Sequence, residues 1–143
     1  GLDGRFRHGR AEIVRDGRDV ALVAMGSVAS EAAAAAQTLA DRGVKARLVV
    51  VASVQPAPVD DLRAALADVP LAVSVEAHYA NGGVGSLAAE VIAEHGLRCR
   101  LVRAGVRALP DARVGSQSFM HGLHGLSASA LVATVLEQLG RRS

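Results

Sequence analysis

The chain has 143 residues, a length that makes one domain with a substantial core, since about 150 residues bury roughly 68–70% of their unfolded surface. Half of the residues are hydrophobic but only 2% are aromatic, so the core has to be built from Ala, Val and Leu. Sixteen basic against 14 acidic side chains leave a net charge of +2, and no basic run is interleaved with aromatics, which argues against a nucleic-acid surface.

Residues 1–10 are polar and Gly-containing, with Leu2 and Phe6 as the apolar anchors. They read as a lead-in or linker to a domain spanning 11–143. Ala11 to Arg15 reads as a short strand. Asp16-Gly17 then turns the chain into the apolar run Asp19 to Met25. Asp-Gly between two apolar runs predicts a hairpin, with these two strands paired antiparallel. A helix is expected from about Val28 to Arg42, with Ser27 or Ser30 as N-cap and Gly43 just past its end. Its alanines allow close packing on a sheet. Lys45 to Val51 is nearly continuous Val and Leu, the mark of a strand covered on both faces. Pro56 and Pro58 punctuate a loop, and Val59 to Ala67 predicts a short helix opened by acidic residues.

Leu71 to Val75 reads as the next strand, followed by a Gly-rich turn and a helix from Leu87 to His95 closed by Gly96. Leu97 to Ala104 is a further strand, in which Cys99 alternates with Arg98 and Arg100. This single cysteine reads as a buried structural thiol. Residues 105–118 are expected to be irregular, and Ser127 to about Leu139 to form a last helix carrying Leu131, Val132, Val135, Leu136 and Leu139 at helical spacing. Strands alternating with helices of this length predict an α/β, three-layer α/β/α domain. Its sheet of about five strands is mostly parallel with one strand antiparallel. With neither a signal pattern nor an apolar run of about 18 residues, the expected location is cytoplasmic, with no membrane.

The chemistry concentrates in Ser74-Val75-Glu76-Ala77-His78-Tyr79-Ala80-Asn81-Gly82-Gly83-Val84-Gly85-Ser86. A strand ends there in a carboxylate, an imidazole and a phenol, placed where α/β sheets keep their functional edge. No catalytic residue is expected in this chain; Glu76 and His78 are the one candidate acid/base pair, because residues two apart on a strand share a side. A carboxylate beside an imidazole can also fix its tautomer. The competing reading has both groups satisfying backbone donors and acceptors at the sheet edge or at a subunit contact. Tyr79, Asn81, Gly82, Gly83, Gly85 and Ser86 are the candidate ligand or interface residues. Phosphate binding at the N-terminus of the following helix is physically possible; relief of crowding at a tight turn against a neighbouring domain is the preferred account. Gly83→Val is expected to harm folding or assembly more than His78→Ala harms any reaction step, at a cost on the order of 1–3 kcal/mol if Gly83 has a positive φ.

The glycines do not form a dinucleotide fingerprint, a Walker loop would need a lysine that is not there, and no nucleophile elbow occurs. Arg141-Arg142 reads as a solvated terminus. His121 and His124 lack the further ligands a zinc site requires, so no metal is expected.

Glu76-x-His78-Tyr79-x-x-Gly82-Gly83-x-Gly85 resembles a string near the end of transketolases. Phe6-Arg7-His8-Gly9-Arg10-Ala11-Glu12 is similar to the segment opening their C-terminal domain, and Pro58-Val59-Asp60 to the start of an internal helix. Gly125-Leu126-Ser127 is similar to the start of the closing helix. Ala77 departs from the usual aspartate, and Gly122 from the usual helix former. The resemblance implies a thiamine-diphosphate enzyme that moves two-carbon ketol units between sugar phosphates. In that family thiamine diphosphate and Mg2+ lie between two other domains, and the C-terminal domain packs and stabilises the dimer. This chain lacks the Gly-Asp-Gly…Asn diphosphate motif, its single asparagine being Asn81. The expectation is thus a separately encoded or excised C-terminal portion that binds no cofactor alone. It would need partner chains carrying the two thiamine-diphosphate domains, in a dimer or higher heteromer. The alternatives are the equivalent domain of a 2-oxo-acid dehydrogenase E1 β-type subunit acting with an acyl carrier, or a stand-alone module for a phosphorylated ligand.

Overall fold

The computed structural model describes residues 7–107 and 113–140. Residues 1–6 of the expected lead-in and the Arg141-Arg142 pair lie outside them. The elements run in the order β1 (Ala11–Arg15), β2 (Val20–Met25), α1 (Ala29–Asp41), β3 (Ala46–Val51), α2 (Val59–Leu66), β4 (Leu71–Tyr79), α3 (Val84–Glu94), β5 (Arg100–Val106), α4 (Gln117–Leu123) and α5 (Ala128–Gln138). The five strands form one sheet in the order β1-β3-β2-β4-β5. β1 is antiparallel to β3, and the other pairs are parallel. The predicted α/β/α architecture, with one antiparallel strand, is what forms.

The layers follow from alternation along the central strands. Val20, Leu22 and Ala24 of β2 face α1 and α5, where Ala32, Ala35, Leu39, Leu131 and Val135 complete one core. Ala21 and Val23 face α2 and α3, meeting Leu62, Leu66, Ala88 and Val91 in the other. With so few aromatics, this density rests on alanine: Ala32, Ala35 and Ala36 are wholly buried.

The expected β1–β2 hairpin does not exist. β1 pairs with β3, in the register Ala11↔Val51 to Arg15↔Leu48, and β3 lies between β1 and β2. The Asp16-Gly17 turn crosses the start of β3 instead: a Cβ on Gly17 would stand 2.4 Å from the Lys45 carbonyl oxygen. Asp19 N–H donates to that carbonyl at 3.0 Å, and Lys45 N–H donates to the Asp19 carboxylate at 2.7 Å. Arg47, 5% exposed, holds the crossing down through Asp16, Asp68 and the Ala65 carbonyl.

Other boundaries move as well. A 3-10 turn over Gly26–Val28 precedes α1, whose N-cap is Val28 with no side-chain cap, so neither Ser27 nor Ser30 plays that part. β4 continues to Tyr79, α3 begins at Val84, and β5 starts at Arg100 rather than Leu97. Within the stretch read as irregular, Gln117 opens the additional helix α4, capped by the Ser116 hydroxyl. Arg7 to Arg10 is tied to the domain. Arg10 forks onto Asp61 at 2.7 and 2.8 Å, and Ala52 N–H donates to the Arg10 carbonyl. The stretch Gln117–Gln138 matches a membrane-crossing helix by length and composition alone. The chain divides it into α4 and α5 at Gly125, whose φ is +70°. Leu131, Val132, Val135 and Leu136 of α5 are buried in the core.

Cys99 lies just before β5 and is 7% exposed. Burial pushes its thiol up to about 11, which leaves little thiolate near pH 8. The folded chain is expected to react with an aromatic disulfide reagent roughly a hundredfold more slowly than the urea-unfolded chain. Equal rates, followed by absorbance, would show the thiol to be accessible.

Candidate functional site

β4 is buried from Leu71 to Glu76 and exposed from Ala77 to Tyr79. Glu76 pairs in register with Met25, at the last position of β2. Its side chain is fully enclosed, at 0% exposure. One oxygen, Oε1, accepts the Gly85 N–H at 2.9 Å. Gly85 is the second residue of α3, so Glu76 supplies the negative charge and acceptor that a helix N-terminus favours. It does so from a neighbouring strand, nine residues back in the chain.

The glycines make this possible by being small. Gly82 carries the positive φ, +81°, and its N–H donates to the Ser86 hydroxyl at 2.9 Å. Gly83 has φ −106° and ψ −153°, an extended conformation open to any residue, so the expected backbone requirement does not hold there. What Gly83 provides is room: a Cβ would lie 2.0 Å from Glu76 Oε2 and 2.1 Å from His78 Cε1. A Cβ on Gly85 would lie 2.5 Å from Ser74 Oγ and 2.6 Å from Glu76 Oε1. The turn is therefore moulded over the carboxylate.

His78 Nε2 stands 3.5 Å from Glu76 Oε2, and its Nδ1 is 2.9 Å from the Tyr79 carbonyl oxygen. Glu76 Oε2 and Ser74 Oγ are buried without a hydrogen-bond partner among the described residues. Ser86 and Leu87 donate to the Gly83 carbonyl. Arg103, on β5 opposite Ser74, donates to the Ala80 carbonyl at 3.2 Å and reaches Ser86 Oγ at 3.5 Å.

Glu76, His78, Gly82, Gly83, Gly85 and Ser86 are thus brought into one cluster. Asn81 is exposed at the turn, and Tyr79, half-exposed, lines a groove of about 280 Å³ with Met120, His121 and His124. Ser74 and Arg103 also belong to the cluster; Ser74 stands in the stretch singled out from sequence but has no role assigned there, and Arg103 is not anticipated. Ser74 had a signal, since it stands two residues before Glu76; Arg103 arrives through strand pairing alone. His121 is buried beside Glu31 at 3.5 Å, and Glu31 also accepts the Ala128 N–H at the start of α5. Among the described residues no three His, Cys, Asp or Glu side chains gather as metal ligands.

Fold and cluster together define a mixed-sheet α/β/α domain in which a strand carboxylate caps the following helix beneath a roof of glycines. The chain belongs to the transketolase C-terminal domain family, whose model, described as "Transketolase, C-terminal domain", matches residues 9–131. Among curated proteins it is similar to a subunit of the apulose-4-phosphate transketolase of Actinobacillus succinogenes, 41% identical over 94% of this chain and 43% of the relative. It is also similar to 1-deoxy-D-xylulose-5-phosphate synthase of Syntrophotalea carbinolica, 33% identical over 89% of this chain and 20% of the relative. A solved structure titled "Split gene transketolase, inactive beta4 tetramer" superposes with TM-score 0.85 at 30% identity, covering 100% of this chain and 46% of that one. Campylobacter jejuni transketolase shares the fold, with TM-score 0.67 at 17% identity over 90% of this chain and 18% of that one. The chain therefore spans less than half the length of these relatives.

Proposed function

We propose that this chain is the C-terminal part of a split, transketolase-like enzyme that moves two-carbon ketol units between sugar phosphates. In that assembly it has a packing and assembly role. The observation that carries this reading is the internal use of the family's most distinctive motif. Glu76 is shut away from solvent and spends Oε1 on the α3 N-terminus, while Gly83 and Gly85 close over it. No substrate atom reaches a carboxylate enclosed in this way. Glu76 and His78 are accordingly assigned to holding the β4–α3 turn, and Tyr79 and Asn81 to its outer surface.

The thiamine diphosphate and Mg2+ implied by the resemblance do not fit the residues present. A diphosphate needs free N–H groups, yet the α3 N-terminus already faces an internal carboxylate that would repel it. The cofactor is assigned to partner chains carrying the two thiamine-diphosphate domains. The same repulsion counts against a stand-alone module for phosphorylated ligands at this turn. The similar proteins, one of them a single subunit of a larger transketolase, favour the transketolase side over a 2-oxo-acid dehydrogenase.

Reconstitution tests the reading. This chain is to be mixed with chains carrying the two thiamine-diphosphate domains, and ketol transfer between sugar phosphates followed with and without it. Transfer is expected to require this chain, and calorimetry of this chain alone is expected to show no binding of thiamine diphosphate with Mg2+. Turnover of sugar phosphates by this chain alone would refute the proposal.

A further inference from the structure

Charge is unevenly distributed along the chain. Nine basic and 12 acidic side chains occupy residues 1–94, a net −3, whereas seven basic and two acidic ones occupy 95–143, a net +5. Between Glu94 and Glu137 the sequence has one carboxylate, Asp111, outside the described residues. Of these basic residues, Arg107 directly follows β5, an edge strand, and Arg113 stands in the segment leading to α4. The arginine ion pairs among the described residues lie toward the other side of the sheet: Arg10–Asp61, Arg18–Asp68, Arg47–Asp16, Arg47–Asp68 and Arg63–Asp60. Arg107 is instead turned back onto the Arg103 carbonyl at 2.7 Å, and Arg113 is exposed.

The same side carries apolar side chains in water. Tyr79 is 50% exposed, Phe119 49% and Leu123 37%. Phe119 and Leu123 are one turn apart on α4 and share a face. A groove of about 460 Å³ runs along β5 past Arg107, Leu123 and His124. The Tyr79 groove adjoins it through His124, which lines both. An apolar centre with a polar, like-charged rim is the anatomy of a protein interface.

We infer that the β5–α4 face docks an acidic surface of the partner chain, with Phe119, Leu123 and Tyr79 entering an apolar patch and Arg107 and Arg113 meeting carboxylates around it. This rests on the reading of the chain as part of a split enzyme. A second copy fits poorly, since an isologous contact would set Arg107 and Arg113 against a rim of the same sign. Acidic rim groups on the partner remove that repulsion and steer association.

The test uses the complex with the chains carrying the two thiamine-diphosphate domains. Photo-reactive p-benzoylphenylalanine in place of Phe119 is expected to cross-link to the partner, and in place of Ile13, on the β1 edge, to give no such product. Arg107→Glu combined with Arg113→Glu is expected to weaken the complex about tenfold or more and to flatten its salt dependence. Arg63→Glu should change affinity less than about twofold, and circular dichroism should show each variant folded. Cross-linking of position 119 to a second copy alone, or an unchanged affinity in the double variant, overturns this inference and leaves the proposed function standing. No complex with any such chain overturns both.

Discussion

Gly83→Val is expected to be the most damaging single substitution in the β4–α3 turn, lowering unfolding stability by roughly 3–5 kcal/mol. Overpacking by itself costs about 1–3 kcal/mol. Here the added Cβ falls 2.0 Å from Glu76 Oε2, so the carboxylate must leave its place. Glu76 is enclosed and cannot swing into water, and moving it strips the Gly85 N–H of its acceptor. A lost partner for a buried donor adds about 1–3 kcal/mol. His78→Ala removes a side chain that is 52% exposed, and its cost is expected to stay within about 1 kcal/mol. Urea unfolding of the two variants checks the ranking. A second measurement isolates the cause: Gly83→Ala should be strongly destabilising in the native background and much less so with Glu76→Ala and His78→Ala present, because the colliding atoms are gone. Equal effects in both backgrounds would place the strain in the backbone. A His78→Ala variant that folds and assembles fully but supports no ketol transfer would return His78 to the reaction.

Local pattern made most of the fold legible. The Val- and Leu-rich β3 announces a strand covered on both faces, and it lies inside the sheet, between β1 and β2. The alanines of α1 announce a helix that packs closely, and they are buried. The errors come from contacts distant in sequence. Asp16-Gly17 is a sound local hairpin signal, but β3, apolar apart from Arg47, takes the place beside β2, so the turn spans it. α4 was missed because Gln117 to Leu123 is short and its apolar members Phe119 and Leu123 remain partly in solvent. The site was legible as a list of residues and not as an arrangement. Glu76 and the glycines were visible, whereas the use of Gly83 for space instead of for φ depends on where the turn folds back. The approach of Arg103 depends on β5 pairing with β4, which spacing does not encode.

The second large effect is expected at Arg47, where Arg47→Met should lower stability at neutral pH by about 2–4 kcal/mol. The Asp16 and Asp68 carboxylates left behind are 75% and 47% exposed and rehydrate, so loss of the ion pairs themselves counts for about 1 kcal/mol. The buried Ala65 carbonyl also loses its 2.7 Å donor. Methionine keeps most of the apolar stem packed, so the variant separates charge from volume. The pH dependence gives an independent signature. Hydrogen bonds from Arg47 hold the Asp16 and Asp68 carboxyls below their ordinary 3.8. A depressed carboxyl contributes stability above its unfolded value and loses it as pH falls through the folded one. Native stability should therefore fall as pH drops below about 4, partly through this network. In Arg47→Met that part of the slope should vanish, so the gap between the two proteins narrows in acid. The Arg10–Asp61 pair, with Asp61 likewise lowered by its bond to Arg10, persists in both proteins and cancels from the difference. Urea midpoints at pH 7 and pH 3 measure it. A gap that stays constant between those two conditions would show that Arg47 acts through packing, with the crossing of Asp16 and Gly17 over β3 held by the backbone bonds alone.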